Sequence, residues 1–179
     1  MSDQKLNGVP VADCLGLVNH VKDNPDAGQT VWAAVTTWKG GFQCHNVIRD
    51  HAVEMDEPEQ LGGTNTAPNM VEQVLAAYGS CLTVGYSLNA SVRGITVNEI
   101  RVEVEGDLDL AGFFGLSDET PAGFSRIRTR VHLDADASDE ELQELHDHVL
   151  KTSPVGSILT RPLDVQTELV GAKGTVTAG

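Results

Sequence analysis

The sequence predicts an α+β fold with antiparallel sheets. Three observations carry that prediction. Helical and strand-like periodicities follow one another in the order α-β-β-(β)-α-β-β-α-β, with hairpin pairs and no regular βαβ alternation. Two long helical segments each open on a capping-box pattern. Two strand segments alternate apolar with charged side chains, as a half-buried antiparallel strand does.

Taken in order, residues 8–23 place Val11, Cys14, Leu15, Val18 and Val21 at helical spacing, and Asn24-Pro25-Asp26 ends that helix. Thr30 to Thr37 is rich in Val, Thr and Ala and reads as a strand, with Lys39-Gly40-Gly41 as its turn. Phe42 to Glu54 continues as strand, with a third short strand after Asp50. Residues 55–68 are dense in Gly, Pro, Asn and Thr and read as a loop. Asn69 to Arg93 reads as one long helix, capped by Asn69 with Glu72 three residues on, and ended by Gly94. Its apolar stripe is Val71, Val74, Leu75, Tyr78, Leu82 and Gly85.

Val97 to Leu108 alternates Ile100, Val102 and Val104 with Glu99, Arg101, Glu103 and Glu105. Phe124 to Leu133 sets Arg126, Arg128 and Arg130 where they can pair across to that acidic row. Asp136 to Lys151 is helical, opened by Ser138 with Glu141 three on. Ser153-Pro154 breaks it, a short turn spans Val155 to Leu159, and Leu163 to Val170 reads as a last strand. The expected organisation is a helical extension over 1–28, one domain over 29–171 and a flexible tail over 172–179.

Composition narrows the function. The chain has 179 residues and a formal charge of −14, which disfavours nucleic acid as a partner. No apolar run approaches the ~20 residues of a membrane span, and no basic-then-apolar leader opens the sequence. Three cysteines are too few for a disulfide scaffold, so a reducing, cytoplasmic setting is expected. Aromatic residues make up 4% of the chain, so the core rests on aliphatic side chains, a hint that a second subunit completes it.

Cys81 is the sharpest candidate for chemistry. At 100° per residue it lies about 20° from Val74 and about 60° from Tyr78, on the apolar stripe, within the small-residue run Ala76-Ala77-Tyr78-Gly79-Ser80. Gly79 inside a helix costs about 1 kcal/mol against Ala, so a close approach should offset it. Most free cysteines are small buried hydrophobes, and composition alone favours that reading. Arg49, in the strand-like run Val47-Ile48-Arg49-Asp50-His51, is a cation of the kind that raises thiolate fraction, although spacing does not bring it to Cys81. Glu72 falls about 180° from Cys81 on an ideal helix, so capping explains it better than base chemistry. Glu144 and His148 have the i,i+4 spacing of zinc ligands, with His146 between them, but no third strong ligand accompanies them and no metal is expected. No nucleotide-binding or hydrolase motif is present and no cofactor is expected.

The run from Asp56-Glu57-Pro58 through Leu61-Gly62-Gly63-Thr64-Asn65-Thr66-Ala67-Pro68-Asn69 to Val71-Glu72-Gln73-Val74-Leu75-Ala76-Ala77-Tyr78-Gly79-Ser80-Cys81 resembles the OsmC/Ohr family. The resemblance continues through Gly94-Ile95, Glu105-Gly106-Asp107-Leu108-Asp109, Gly112 to Glu119 and Ser153-Pro154-Val155, covering residues 30–170. It implies an intertwined homodimer whose antiparallel sheets wrap a long central helix from each subunit. It also implies reduction of organic hydroperoxides by a peroxidatic cysteine, matched here by Cys81. The resolving-cysteine position is Ser153, and the activating-glutamate position is Val71. Glu72 matches a helix-start glutamate of OsmC-like relatives, Arg49 an arginine of the same branch, and Lys39 falls near the arginine of the Ohr branch. The expectation is a one-cysteine thiol peroxidase that an external thiol resolves. The alternatives are a non-catalytic dimer binding a small apolar ligand, and a purely structural module.

Overall fold

The computed structural model describes residues 5–171 and the backbone of 174–176. It is a mixed α+β structure whose sheets are all antiparallel. Helix α1 (Val11–Asp23) is followed by a hairpin-linked sheet of β1 (Val35–Gly40), β2 (Gln43–Ile48) and β3 (His51–Met55). Helix α2 (Met70–Val92) leads into β4 (Val97–Leu108), a short α3 (Leu110–Phe113) and β5 (Phe124–Ala135). Helices α4 (Asp139–Thr152) and α5 (Pro154–Thr160) follow, then the short hairpin of β6 (Leu169–Gly171) and β7 (Gly174–Val176).

The core forms where α2 lies against β4 on one side and α4 on another. Leu82, Tyr86, Ala90, Leu145 and Val149 are fully buried there, with Ile95 beside them. Val97, Ile100, Val102, Val131 and Leu133 close it from the β4–β5 ribbon, as the alternation required. Each such aliphatic side chain contributes about 1.5–3 kcal/mol by leaving water. This core is small for the length. Val31, Trp32 and Leu116 keep three-quarters or more of their surface exposed.

The wet face of the ribbon has the expected register: Glu103 opposite Arg130, Glu105 opposite Arg128, and Asp107 opposite Arg126. Arg128 pairs with both Glu105 and Asp107, at 2.6 and 2.5 Å, and Arg130 with Glu103 at 3.3 Å. Arg126 cedes its partner to Arg128. These pairs are exposed and screened, so they fix register more than stability.

Several boundaries differ from the sequence reading. The first strand begins at Val35, and Lys39 and Gly40 belong to it, because the turn falls at Gly41-Phe42. Arg49 is not in a strand. It takes a left-handed φ of 55° in the two-residue turn between β2 and β3. The stretch after Ser153 is a helix, with Ser153 as its cap. Of Leu163 to Val170, only the last two residues are strand; 163–168 is irregular and exposed, with no neighbouring strand among the described residues to pair with. In the expected tail, 172, 173 and 177–179 lie outside the described residues, and Gly174–Val176 pairs with β6.

Ahead of α1, Asn7 takes a left-handed φ of 53° and bridges the α2–β4 junction. Its side-chain amide donates to Ser91 Oγ (3.0 Å) and to the Ile95 carbonyl (2.9 Å), and its oxygen accepts from the Val97 amide (2.9 Å).

Candidate active site

Two helix starts build the site. The first is the entry to α2. Asn69 accepts from the Glu72 amide at 2.8 Å while Glu72 accepts from the Asn69 amide at 2.9 Å, closing the capping box that the sequence pattern requires. The loop leading there is held by Asp56, which is almost wholly buried. Its carboxylate accepts from the Thr64 hydroxyl (2.5 Å), the Thr66 amide and hydroxyl (3.1 and 2.9 Å) and the Glu57 amide (2.8 Å). The Thr64 hydroxyl bond is the main cause holding Asp56 far below the ordinary carboxylate range; burial opposes it and is outweighed once the Thr66 and Glu57 donors are added. Gly63 is required here: a Cβ would fall 1.8 Å from the Glu57 carbonyl oxygen.

The second start is the corner between α4 and α5. Here α4 opens on the Ser138–Glu141 capping box and is drawn onto α2 at two points. At Gly85 a Cβ would lie 2.9 Å from Val149 Cγ1, so the small residue lets the helices approach. One position on, the Tyr86 hydroxyl hydrogen-bonds His146 Nδ1, and the two rings stack with centroids 6.1 Å apart. Burial, with a smaller contribution from Tyr78, pushes the Tyr86 phenol up to about 12. At the corner Ser153 caps α5 by accepting from the Gly156 amide at 3.0 Å, with Pro154 as the first helical residue.

This corner brings the two positions singled out in the sequence together. Cys81 Sγ lies 3.2 Å from the buried Ser153 Oγ. They share a cavity of about 560 Å³ walled by Ala77, Val84, Leu88 and Val149 among others. The wall is almost entirely apolar, which suits a thiol and an alkyl-bearing molecule. All three cysteines, Cys14, Cys44 and Cys81, are free thiols.

The other candidates are elsewhere. Glu72 is spent on the cap and lines a separate groove of about 640 Å³ between α2 and β4, with Leu75, Gly79, Thr83, Val102 and Val104. Beside that groove a Cβ on Gly79 would meet Val104 at 3.4 Å, an ordinary contact, so β4 packs on the helix there without requiring glycine. Val71 is half-buried in the first turn of α2. Arg49 at its turn and Lys39 on β1 are both exposed, and neither lines the Cys81 cavity. Among the described residues no group of three or more His, Cys, Asp or Glu is arranged to hold a metal, and no helix is long and apolar enough to cross a membrane.

Two features escaped the sequence reading. Tyr86 extends the stripe of Tyr78 and Leu82 by another four residues, a periodic signal that was available. His148, read only as half of a zinc-like spacing, lines the Cys81 cavity.

Comparison with known proteins agrees with this architecture. A profile for the OsmC-like protein family matches residues 63–168. The fold is similar to an OsmC-like protein from Mycoplasma pneumoniae, with TM-score 0.64 and 17% identity over 73% of this chain and 88% of that one. It is also similar to an organic hydroperoxide resistance protein OsmC from Legionella pneumophila, with TM-score 0.54 and 18% identity over 74% and 92% of the two chains. An organic hydroperoxide resistance protein from Elizabethkingia anophelis, with thiocyanate bound, gives TM-score 0.53 and 20% identity over 74% and 89%. No curated protein sequence matches the chain. The family profile covers more than half of the sequence, and the antiparallel α+β fold agrees with it: this chain belongs to the OsmC-like protein family.

Proposed function

We propose that this protein is a thiol peroxidase that reduces organic hydroperoxides through Cys81 alone, as part of oxidative stress defence. The observation that carries the reading is the 3.2 Å contact between Cys81 Sγ and Ser153 Oγ inside an apolar cavity. The resemblance pairs a peroxidatic with a resolving cysteine at these two positions, and here one sulfur has become an oxygen. In the proposed reaction the Cys81 thiolate attacks the outer peroxide oxygen, the O–O bond breaks, and an alcohol leaves. Sulfur is oxidised to sulfenic acid as the peroxide is reduced by two electrons. Ser153 has no thiol to condense with that acid. An external thiol therefore forms the mixed disulfide and expels water, and a second thiol releases Cys81.

The reading includes a homodimer. The small core and the exposed apolar side chains, including Trp32, Leu163 and Val165, support it. In such a dimer the three-stranded sheet of one subunit would cover the helices of the other. Arg49 would then be available as the cation beside the thiolate, with Lys39 as its substitute.

The test is the intact mass of the reduced protein before and after one equivalent of an alkyl hydroperoxide, with Cys81→Ser alongside. A gain of one oxygen that dimedone traps, absent in the variant, is the expected result; no reaction at Cys81 within minutes overturns it. A second reading, a non-catalytic dimer binding a small apolar ligand, is favoured by the cavity's apolar wall and by Val71 and Ser153 in place of reactive groups. Native mass spectrometry would detect a ligand retained through purification.

A further inference from the structure

Among the described residues, the cavity holding Cys81 and Ser153 is lined by one ionisable residue besides Cys81, the exposed His148 of α4. We propose that His148 is the acid–base group of this cavity, taking the Cys81 proton and returning it to the alkoxide that leaves the peroxide. The inference rests on the peroxidase reading of Cys81.

The packing puts His148 there. Gly85 is one helical turn beyond Cys81 and shares its face of α2. Val149, 1% exposed, sits directly on Gly85. His148 immediately precedes Val149, so the turn of α4 that is clamped to α2 carries this exposed histidine at the cavity rim. The Thr152 hydroxyl donates to the His148 carbonyl at 2.8 Å, bracing this last turn ahead of Ser153. Across the cavity α2 offers Ser80, Cys81 and Asn89, none of them charged, while Glu144, Asp147 and Lys151 flank His148 along α4. The carboxylate that the resemblance would supply is absent, because Val71 stands in its place. An imidazole is suited to the vacant task, since it both accepts and donates a proton near neutral conditions.

The step balances. The Cys81 S–H bond breaks and its proton goes to the imidazole. The S–O bond forms as the O–O bond breaks, and the imidazolium gives the proton to the departing alkoxide. Thiol plus hydroperoxide becomes sulfenic acid plus alcohol, and His148 ends as it began.

The test uses the full chain with His148→Ala and His148→Gln, each checked for a wild-type melting transition. Formation of the Cys81 sulfenic acid with an alkyl hydroperoxide is followed by peptide-resolved mass spectrometry. The expected result is about a 100-fold slower reaction in His148→Ala, restored saturably by added imidazole, with His148→Gln equally slow. An unchanged rate, or a loss that imidazole does not restore, overturns the proposal. If wild-type Cys81 gains no oxygen, the peroxidase reading fails, and alkylation of Cys81 by iodoacetamide then decides for His148. A tenfold slower alkylation in His148→Ala that imidazole restores supports it, and equal rates overturn it.

Discussion

Replacing Ser153 by cysteine should convert the α4–α5 corner into a disulfide with Cys81. The two side chains already meet at 3.2 Å, and closing to an S–S bond of about 2.05 Å requires only a small movement. The residues are 72 apart in sequence. Closing a loop of that length removes about 4 kcal/mol of unfolded-chain entropy in the loop-closure account. Against this, cysteine is a poorer cap than serine. Loss of the Ser153-to-Gly156 bond costs about 1 kcal/mol whether or not the disulfide forms. The oxidised variant should therefore gain about 3 kcal/mol over wild type. At 2–4 °C per kcal/mol for a chain of this size, it should melt about 6–12 °C higher. The reduced variant should melt about 2–4 °C lower than wild type. The assay is a thermal melt with and without a phosphine reductant, alongside intact mass after treatment with diamide. Failure of Cys81 to crosslink to the introduced thiol would show that the corner does not reach this geometry in solution. An oxidised form that melts below the reduced one would refute the energetic argument.

Gly85→Ala should destabilise the protein by up to about 2 kcal/mol, the 1–3 kcal/mol of overpacking against Val149 less about 1 kcal/mol of helix propensity. Urea unfolding measures this, and adding Val149→Ala should relieve the clash component. Glu72→Gln should leave the reactivity of Cys81 with iodoacetamide unchanged, because the side chain serves the cap and faces away. Asn69→Ala should cost about 1 kcal/mol in the same unfolding assay. Asp56→Asn should destabilise the protein at neutral pH. A carboxyl held low in the folded state contributes fully above its ordinary value of 3.8, and the contribution fades as pH falls below it. The melting gap between wild type and variant should therefore narrow from pH 5 to pH 3. A gap that widens on acidification would contradict the Thr64–Thr66 hydrogen bonding as its source.

The parts of the fold that were legible in the sequence are those governed by local rules. Both capping boxes, the left-handed Gly94 after α2 and the alternation of β4 and β5 stand where their residue types put them. The Cys81–Ser153 contact was foreseeable only through family resemblance, since no periodicity links residues on different helices. The third strand after Asp50 was legible, but Arg49 read as strand because Arg49-Asp50 has none of the glycine that normally marks a two-residue hairpin turn. The Asp56 loop looked like a generic Gly- and Thr-rich connection. Its order comes from hydroxyls and amides converging on one buried carboxylate, a property of three dimensions. Of the strand expected from Leu163 to Val170, only Leu169 and Val170 form, paired with β7, because 163–168 has no partner strand among the described residues.

The Asn7 bridge bears on where this protein can be shortened. A chain begun at residue 29, just ahead of the first sheet, would discard Asn7 with the helix behind it. The Val97 amide and the Ile95 carbonyl would lose their partner at the point where α2 hands over to β4. The Ser91 hydroxyl would lose the Leu6 carbonyl it also reaches. The leading segment thus acts as a splint across the hinge between the protein's longest helix and its longest ribbon. In a series of stepwise N-terminal deletions, the sharp fall in stability belongs between residues 5 and 8, well before α1 itself is touched.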